Sequence, residues 1–270
     1  MALTPIPLSE ADLMVLSAQI LTNFDESVVL DQFTNQRYTG EISGRSSQVK
    51  IVGLEDVTIG TYLPGVTSID PEALTDSAVI LTTSESDYYA FEVDDVVAAA
   101  GAGGYLSAAA GRAGQQLAFK VDEHIAATVE ADATNELSAV DLSVAGSAFE
   151  ALVTARAMLF DTANTYMAAV TPEFAVNLVL DPRFQKQGGY SADFMKAEVG
   201  MAANVRVVQS AAVTTPWVQS TPDAIGLAHL IKEAEAYRPE DAFSNCLKGL
   251  QIYGAAVIRD KAIVKLPVTP

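Results

Sequence analysis

The chain has 270 residues, half of them hydrophobic, enough to bury a substantial core as one large domain or two ordinary ones. Its 34 Asp and Glu against 16 Lys and Arg leave a net charge of -18, a field that repels polyanions and argues against sequence-specific nucleic-acid binding. One cysteine, Cys246, cannot form an internal disulfide, no Asn-x-Ser/Thr sequon occurs, and MALTPIPLSEAD lacks the basic-then-apolar order of a signal peptide. The uncharged run 96–111 is mostly Ala and Gly, too short and too weakly apolar to span a bilayer. A soluble chain made in a reducing compartment, with no membrane contact, is the expectation.

In chain order, Ser9 can cap a helix to about residue 30, with Leu13, Leu16, Ile20 and Phe24 at three- and four-residue spacing. From Gln48 the period becomes two. Val49 and Ile51 alternate with Gln48 and Lys50, Gly53 to Asp56 make a turn, and Val57 and Ile59 alternate with Asp56 and Thr58, which predicts a β-hairpin. A second extended run, Ala78 to Val93, follows the Pro64-Gly65 turn. A ribbon with so few large apolar residues is marginal alone and must lie on the rest of the chain or on a neighbour.

From Asp94 the period lengthens. Leu106, Ala110, Ala113, Leu117, Val121 and Ile125 form one stripe of a helix reaching about Ala131, with Arg112, Gln116, Lys120 and Glu123 largely on the other side. Asp94 and Asp95 stand at its expected start, where carboxylates complement the dipole. A polar link at 134–141 precedes a helix from Ser147 to about Phe160. The strand Tyr166–Val170 then leads into a helix capped at Thr171-Pro172-Glu173. "NVRVVQS" reads as a strand, "DAIGLAHLI" is open between helix and strand, and "GLQIYGAAVIRDKAIVKLPV" reads as two strands around Arg259-Asp260-Lys261.

Chemical motifs are thin. Gly101 and Gly103 begin a Gly-x-Gly-x-x-Gly pattern whose third place is Leu106, and no Gly-Lys-Ser/Thr follows, so a nucleotide-binding enzyme built on the Gly101 turn is only an alternative. Five glycines at 101, 103, 104, 111 and 114 each cost about 1 kcal/mol in a helix interior. They imply either a kink near Gly103 or the close approach of another backbone. His124 lacks a ligand partner at three- or four-residue spacing and reads as part of a polar helix face, while His229 reads as a core or interface histidine. Cys246 reads as a small buried hydrophobe, and no serine elbow is present. The carboxylate pairs Asp25-Glu26, Glu55-Asp56, Asp94-Asp95 and Asp122-Glu123 read as solvated. No catalytic residue, cofactor or metal site is expected, and the chain reads as non-enzymatic.

The order of elements resembles the HK97-type major capsid proteins of tailed bacteriophages. "NQRYTGEISGRSSQVKIVGLEDVTIGTY" is similar to that family's extended-loop hairpin, and "SDYYAFEVDDV" to the passage into its spine helix. "TYMAAVTPEFAVNLVLDPRF" and "GMAANVRVVQSAAV" resemble elements of its axial domain, and "YRPEDAFSNCLKGLQIYGAAVIRDKAIV" the return to its peripheral domain.

The resemblance implies an α+β fold with an N-terminal arm (1–31), an extended loop (32–92), a peripheral domain (93–146 plus 246–270) carrying the spine helix, and an axial domain (147–245). It implies self-assembly through pentamers and hexamers into an icosahedral virion shell around double-stranded DNA, held without sequence-specific contacts. Arg45, Lys50, Glu55 and Asp56 would lie at subunit contacts. A separate scaffolding protein, a portal and a decoration protein are the implied partners, and the host bacterial cytoplasm the implied place of synthesis. An encapsulin-like nanocompartment shell, which shares the fold, is the alternative within the same architecture.

Overall fold

A computed structural model of the chain describes residues 10–42, 44–54, 61, 76–94, 105–159, 166–186, 197–231, 235–237 and 244–269. Its helices are α1 (Glu10–Ser27), α2 (Tyr105–Asp132), α3 (Ser147–Met158), α4 (Pro172–Leu180) and α5 (Pro182–Lys186). The first strands are β1 (Thr34–Asn35), β2 (Gln48–Leu54), β3 (Asp76–Thr82), β4 (Glu85–Asp94) and β5 (Val140–Asp141). The middle of the chain adds β6 (Tyr166–Val170), β7 (Glu198–Ala202), β8 (Val205–Gln209), β9 (Trp217–Gln219) and β10 (Ile225–Ile231). The last are β11 (Glu235–Tyr237), β12 (Ser244–Val257), β13 (Ile263–Lys265) and β14 (Val268–Thr269).

These strands make two five-stranded sheets and two small ribbons. In the first sheet β12 is central, pairing antiparallel with β4 along one edge and with β10 and β11 along the other, while β1 extends β10 in parallel. The second sheet runs β13-β9-β6-β8-β7. The "DAIGLAHLI" segment is therefore a strand. The two strands flanking Arg259-Asp260-Lys261 do not pair with each other: β12 stays in the first sheet, and β13 joins β9 in the second. Sheet membership thus cuts across the expected segments, since β10 falls within 147–245 and β13 within 246–270.

Helix α1 and helix α2 cover one face of the first sheet. Leu16, Ile20 and Phe24 of α1 and Ala110, Leu117, Val121 and Ile125 of α2 are buried in one cluster with Leu227, Leu247 and Tyr253 of the sheet. Ala113 is half-buried, and the side chains of Leu13 and Leu106 lie outside the described residues. The outward set, Arg112, Gln116, Lys120 and Glu123, is exposed. Asp94 is the last described residue of β4, opposite Ser244, because the run of cross-strand pairs with β12 reaches that far, and the described part of the helix begins at Tyr105. Asp95 and Val96 to Gly104, with the expected kink at Gly103, lie outside the described residues.

Of the two glycines within the described helix, Gly114 has a packing reason. A Cβ on Gly114 would stand 2.6 Å from the carbonyl oxygen of Ile20 and 3.1 Å from the amide nitrogen of Phe24, so the backbone of α1 crosses α2 at this position. Gly111 faces only the Asn23 side chain at ordinary contact distance, 3.7 Å.

The exit of α1 is held by Asp122. This side chain is 3% exposed and accepts hydrogen bonds from the backbone amides of Val29, at 3.0 Å, and Leu30, at 2.9 Å. The expectation of a solvated Asp122-Glu123 pair fails at Asp122 because the amides of Val29 and Leu30, unpaired at the start of the 3-10 turn Leu30–Phe33 that follows α1, need an acceptor. Asp25, Glu26 and Glu123 are exposed as expected, Asp94 is paired in β4, and Glu55, Asp56 and Asp95 lie outside the described residues.

The second sheet is covered by α3 and α4, whose Phe149, Leu152, Phe174 and Leu178 pack on Ala168, Val170, Val205 and Val207. Thr171 caps α4, accepting from the amide of Phe174 at 3.3 Å, with Pro172 in the first turn. The other face of β6 and β9 places Met167, Ala169 and Trp217 in the first sheet's core. Buried Gln219 stands at this junction and donates to the carbonyl of Phe33 at 2.8 Å. Every residue of β6 is buried, which explains its unbroken apolar run.

The two helical glycines give opposite predictions. Gly111→Ala should stabilise the chain by about 1 kcal/mol through helix propensity. Gly114→Ala should destabilise it by roughly 1–3 kcal/mol, because the added methyl forces two backbones apart. Urea denaturation followed by circular dichroism measures both.

Candidate assembly surfaces

The extended loop begins on this chain's own sheet. Strands β2 and β3 form an antiparallel ribbon in the register Val49↔Leu81 and Ile51↔Val79. One face, with Val49, Ile51 and Leu81 buried and Val79 partly buried, packs on Ile42, Ala228 and Ala256. The outer face of the sheet is thereby covered around Ala228 of β10 and Ala256 of β12. A Cβ on Gly254 would run into the Thr82 carbonyl and lie 2.8 Å from Thr83 Cα, so the ribbon's backbone touches the sheet's backbone there.

The expected turn at Gly53 to Asp56 is corrected by this register. Gly53 pairs with Ser77 and Leu54 with Asp76, so β2 runs on through the turn position and its partner is β3. Val57 and Ile59, with Glu55 and Asp56, lie outside the described residues. The alternation at 48–51 was sound evidence for a strand and silent about its partner.

The ribbon's other face is exposed. It carries Gln48, Lys50, Val52, Ala78 and Ile80, with Val52 54% and Ile80 56% exposed. Arg45 is exposed in the turn that leads into β2, where Ser46 donates to the Thr83 carbonyl at 2.9 Å. The ribbon's outer face therefore presents Lys50 beside two large aliphatic side chains, with Arg45 exposed in the preceding turn, a mixed surface with no partner among the described residues. On the part of the first sheet's outer face beyond the ribbon, Tyr88 is 78% exposed. Lys248 pairs with Glu235 at 3.0 Å and lies 5.1 Å from the Tyr237 ring centre there.

A third surface lies at the far end of the second sheet. Arg183 donates to Asp181 through Nη2 at 2.7 Å, to Glu150 at 3.1 Å and to the Gly146 carbonyl at 2.9 Å, and its guanidinium sits 4.7 Å from the Phe149 ring centre. This one side chain ties the start of α3 to the turn between α4 and α5. Gly146 has φ +86°, and a Cβ there would collide with the guanidinium, so the clasp requires glycine. The hydrogen bonds from Arg183 hold the Asp181 carboxyl below its ordinary range. Beside the clasp, Leu142, Asn177 and Leu180 line an open cleft of about 580 Å³. Val144, Val176 and Leu180 stand exposed around it.

The remaining motif residues are structural where they are described. His124 is not on a polar face: it is half-buried, with its ring edge-on to Tyr253 at 5.3 Å, because the sheet comes up under that side of α2. His229 stacks on Phe24 at 5.4 Å. Cys246 is a buried free thiol. Among the described residues no group of three or more His, Cys, Asp or Glu could hold a metal ion, and no helix is long and apolar enough to cross a membrane. Gly101 and Gly103 lie outside the described residues. Sequence reasoning missed Asp122 and the Arg183 clasp; "DPRF" after an apolar helix was the one local signal for the latter.

A family model described as phage capsid protein matches residues 81–266. In fold the chain is similar to a structure from Mycobacterium phage Che8, with TM-score 0.70 and 23% identity over 88% of this chain and 90% of that one. It is similar to the capsid structure of the cyanophage P-SCSP1u, with TM-score 0.68 and 16% identity over 90% and 89%. A virus-like particle from Pyrococcus furiosus gives TM-score 0.67 and 13% identity over 96% and 100%. No curated protein matches the chain.

The Arg183 clasp has a signed pH consequence. The depressed Asp181 carboxyl favours the folded state fully above its ordinary pKa of about 3.9, and that contribution is lost as pH falls through the lower folded-state value. Asp181→Asn should lower Tm at neutral pH and flatten the fall of Tm below about pH 4. Thermal melts from pH 7 to pH 3 check this.

Proposed function

The chain belongs to the phage capsid protein family, and from that premise we propose that it is the major subunit of an icosahedral shell built of pentamers and hexamers around double-stranded DNA. It has the HK97-type fold and is a component of the virion capsid. The observation that carries the reading is the ribbon. One face of β2 and β3 is used on the chain's own sheet, and the other leaves Val52 and Ile80 in water beside Lys50. Exposed aliphatic pairs of this kind mark contact surfaces, and charges at the margin set register more than affinity.

In this reading the ribbon and the residues beyond it lie across a neighbouring copy, with Arg45, Lys50, Glu55 and Asp56 at the contact. The peripheral unit is the first sheet with α1 and α2, and the axial unit is the second sheet with α3 and α4. Closed symmetry holds each copy by several neighbours at once, so modest contacts suffice. The net charge of -18 keeps the shell from adhering to the genome, and binding to DNA is not sequence-specific. A separate scaffolding protein, a portal and a decoration protein complete the particle, which is built from chains made in the host bacterial cytoplasm. The role is structural and needs no cofactor.

A second reading, a nanocompartment shell around cargo protein, is supported by the likeness to the Pyrococcus furiosus virus-like particle over all of that chain. Particles isolated from the native source decide between the two: nuclease-protected DNA supports the capsid reading, and protein cargo without DNA selects the other.

Negative-stain microscopy of the expressed chain should show capsomers, shells or tubes. A monodisperse monomer under all assembly conditions overturns the shell reading. The double variant Val52→Asp with Ile80→Asp should leave the monomer's stability within about 0.5 kcal/mol, since both sites are exposed, and should abolish assembled particles. Denaturation and sedimentation together separate the two effects.

A further inference from the structure

The chain's two histidines come from different elements to one interface between the first sheet and the helices. The His229 ring, on β10, stacks on Phe24 of α1 with centroids 5.4 Å apart and planes 21° apart. Its Nδ1 is buried and has no hydrogen-bond partner among the described residues. His124 of α2 meets Tyr253 of β12 edge-on at 5.3 Å, and Tyr253 is the cross-strand neighbour of His229. Two ring pairs, one between α1 and β10 and one between α2 and β12, thus stand on neighbouring strands of the sheet.

We propose that this interface is an acid-sensitive latch, in which protonation of His229 releases α1 from the sheet while the rest of the fold holds. A neutral imidazole stacks on Phe24 as one flat ring on another. An imidazolium there gains some attraction to the ring face, and loses more by leaving water with one nitrogen unpartnered.

The surrounding charges are accounted for element by element. Asp25 of α1 and Asp31 of the turn after it favour a charged His229, and Glu85 and Asp87 of β4 favour a charged His124. On α2, Asp122 is engaged by the Val29 and Leu30 amides, and Glu123 pairs with Lys120. From β12 the facing groups are neutral: Tyr253, whose hydroxyl donates to Asp87 at 2.7 Å, and Gln251. Burial outweighs the carboxylates at both imidazoles and holds each below the ordinary histidine range.

The sign follows. With α1 docked, fewer protons bind than with α1 released, so docking is at full strength above about pH 6.5 and weakens as pH falls below it. The element that yields is α1. Strand β10 is locked between β1 and β12 by backbone pairing, whereas α1 has no backbone pairing to the sheet and is held by its buried stripe, by the Asp122 contacts at its exit and by a Gln19–Ser107 side-chain hydrogen bond to α2.

Hydrogen exchange on the full chain at pH 7.5 and pH 5.5, with rates corrected for intrinsic exchange, tests this above the ordinary carboxylate range. Protection of amides 15–27 should fall by up to about tenfold in the wild type at the lower pH, while β6 and β8 amides change little. His229→Phe keeps a stacked ring and takes no proton, so its α1 protection should be the same at both pH values. His229→Gln, which removes the stack, should be less protected than wild type at both and equally insensitive to pH. Unchanged α1 protection in the wild type, the same acid loss in both variants, or an equal loss in β6 and β8 overturns the latch.

Discussion

Burial of both faces of β12 is the constraint on which the rest of the structure depends. Its Leu247 and Tyr253 enter the core beneath α1 and α2, while Ala256 packs under the ribbon. Along residues 251–256 the strand is covered on both faces, so neighbouring elements must fit it there. They do so where side chains are missing. Gly254 admits the backbone of Thr82 and Thr83, Gly249 lies under the ring of Tyr89, and across the layer Gly114 admits the backbone of α1. At these positions glycine is required by the space available, and the cost in helix or strand propensity is offset by the contacts that close approach allows.

The same crowding governs the polar groups. Where α1 ends beneath the sheet, its following amides cannot reach water, and Asp122 supplies the acceptor. Where the two sheets share a core, Gln219 satisfies the Phe33 carbonyl from the buried side of β9. The turn before β13 is tied to the exit of α2 by Asp260, which accepts from the amide of Thr134 at 2.7 Å. These side chains each join segments far apart in sequence, which makes the two sheets with their helices one packed body. Ion pairs contribute mainly at the surface, as at Lys120 with Glu123 and Lys248 with Glu235, where screening keeps their effect small.

What was legible in the sequence is what local periodicity and capping encode. The stripe of α2, the strand at Tyr166–Val170 and the Thr171-Pro172 helix start stand where their residues put them, because each is decided by its own face or its own end. The segment at Ile225–Ile231 was ambiguous for a physical reason. Its two faces meet different cores, Leu227 toward α2 and Ala228 toward the ribbon, so burial erased the alternation that marks a strand. The partner of β2, the extension of β4 through Asp94 and the destination of β13 were illegible because pairing across long connections leaves no local trace. Asp122 was misread for the same cause: a carboxylate on a helix looks solvated until the distant amides it serves are in place.

Of the candidate contact residues, Arg45 and Lys50 are described and exposed, and their position follows from the ribbon's register. That register sorts the ribbon's aliphatic residues into two sets. Val49, Ile51, Val79 and Leu81 serve the chain's own stability, and removing any of them opens a cavity over β12. Val52 and Ile80, one position along each strand, contribute nothing to that core. Because the side-chain period of a strand is two, a slip of one residue between β2 and the sheet would exchange the sets, so the fold of the monomer fixes which side chains face outward. The surface offered to a neighbour is thus set by the packing of the ribbon on its own chain, and assembly inherits its register from folding.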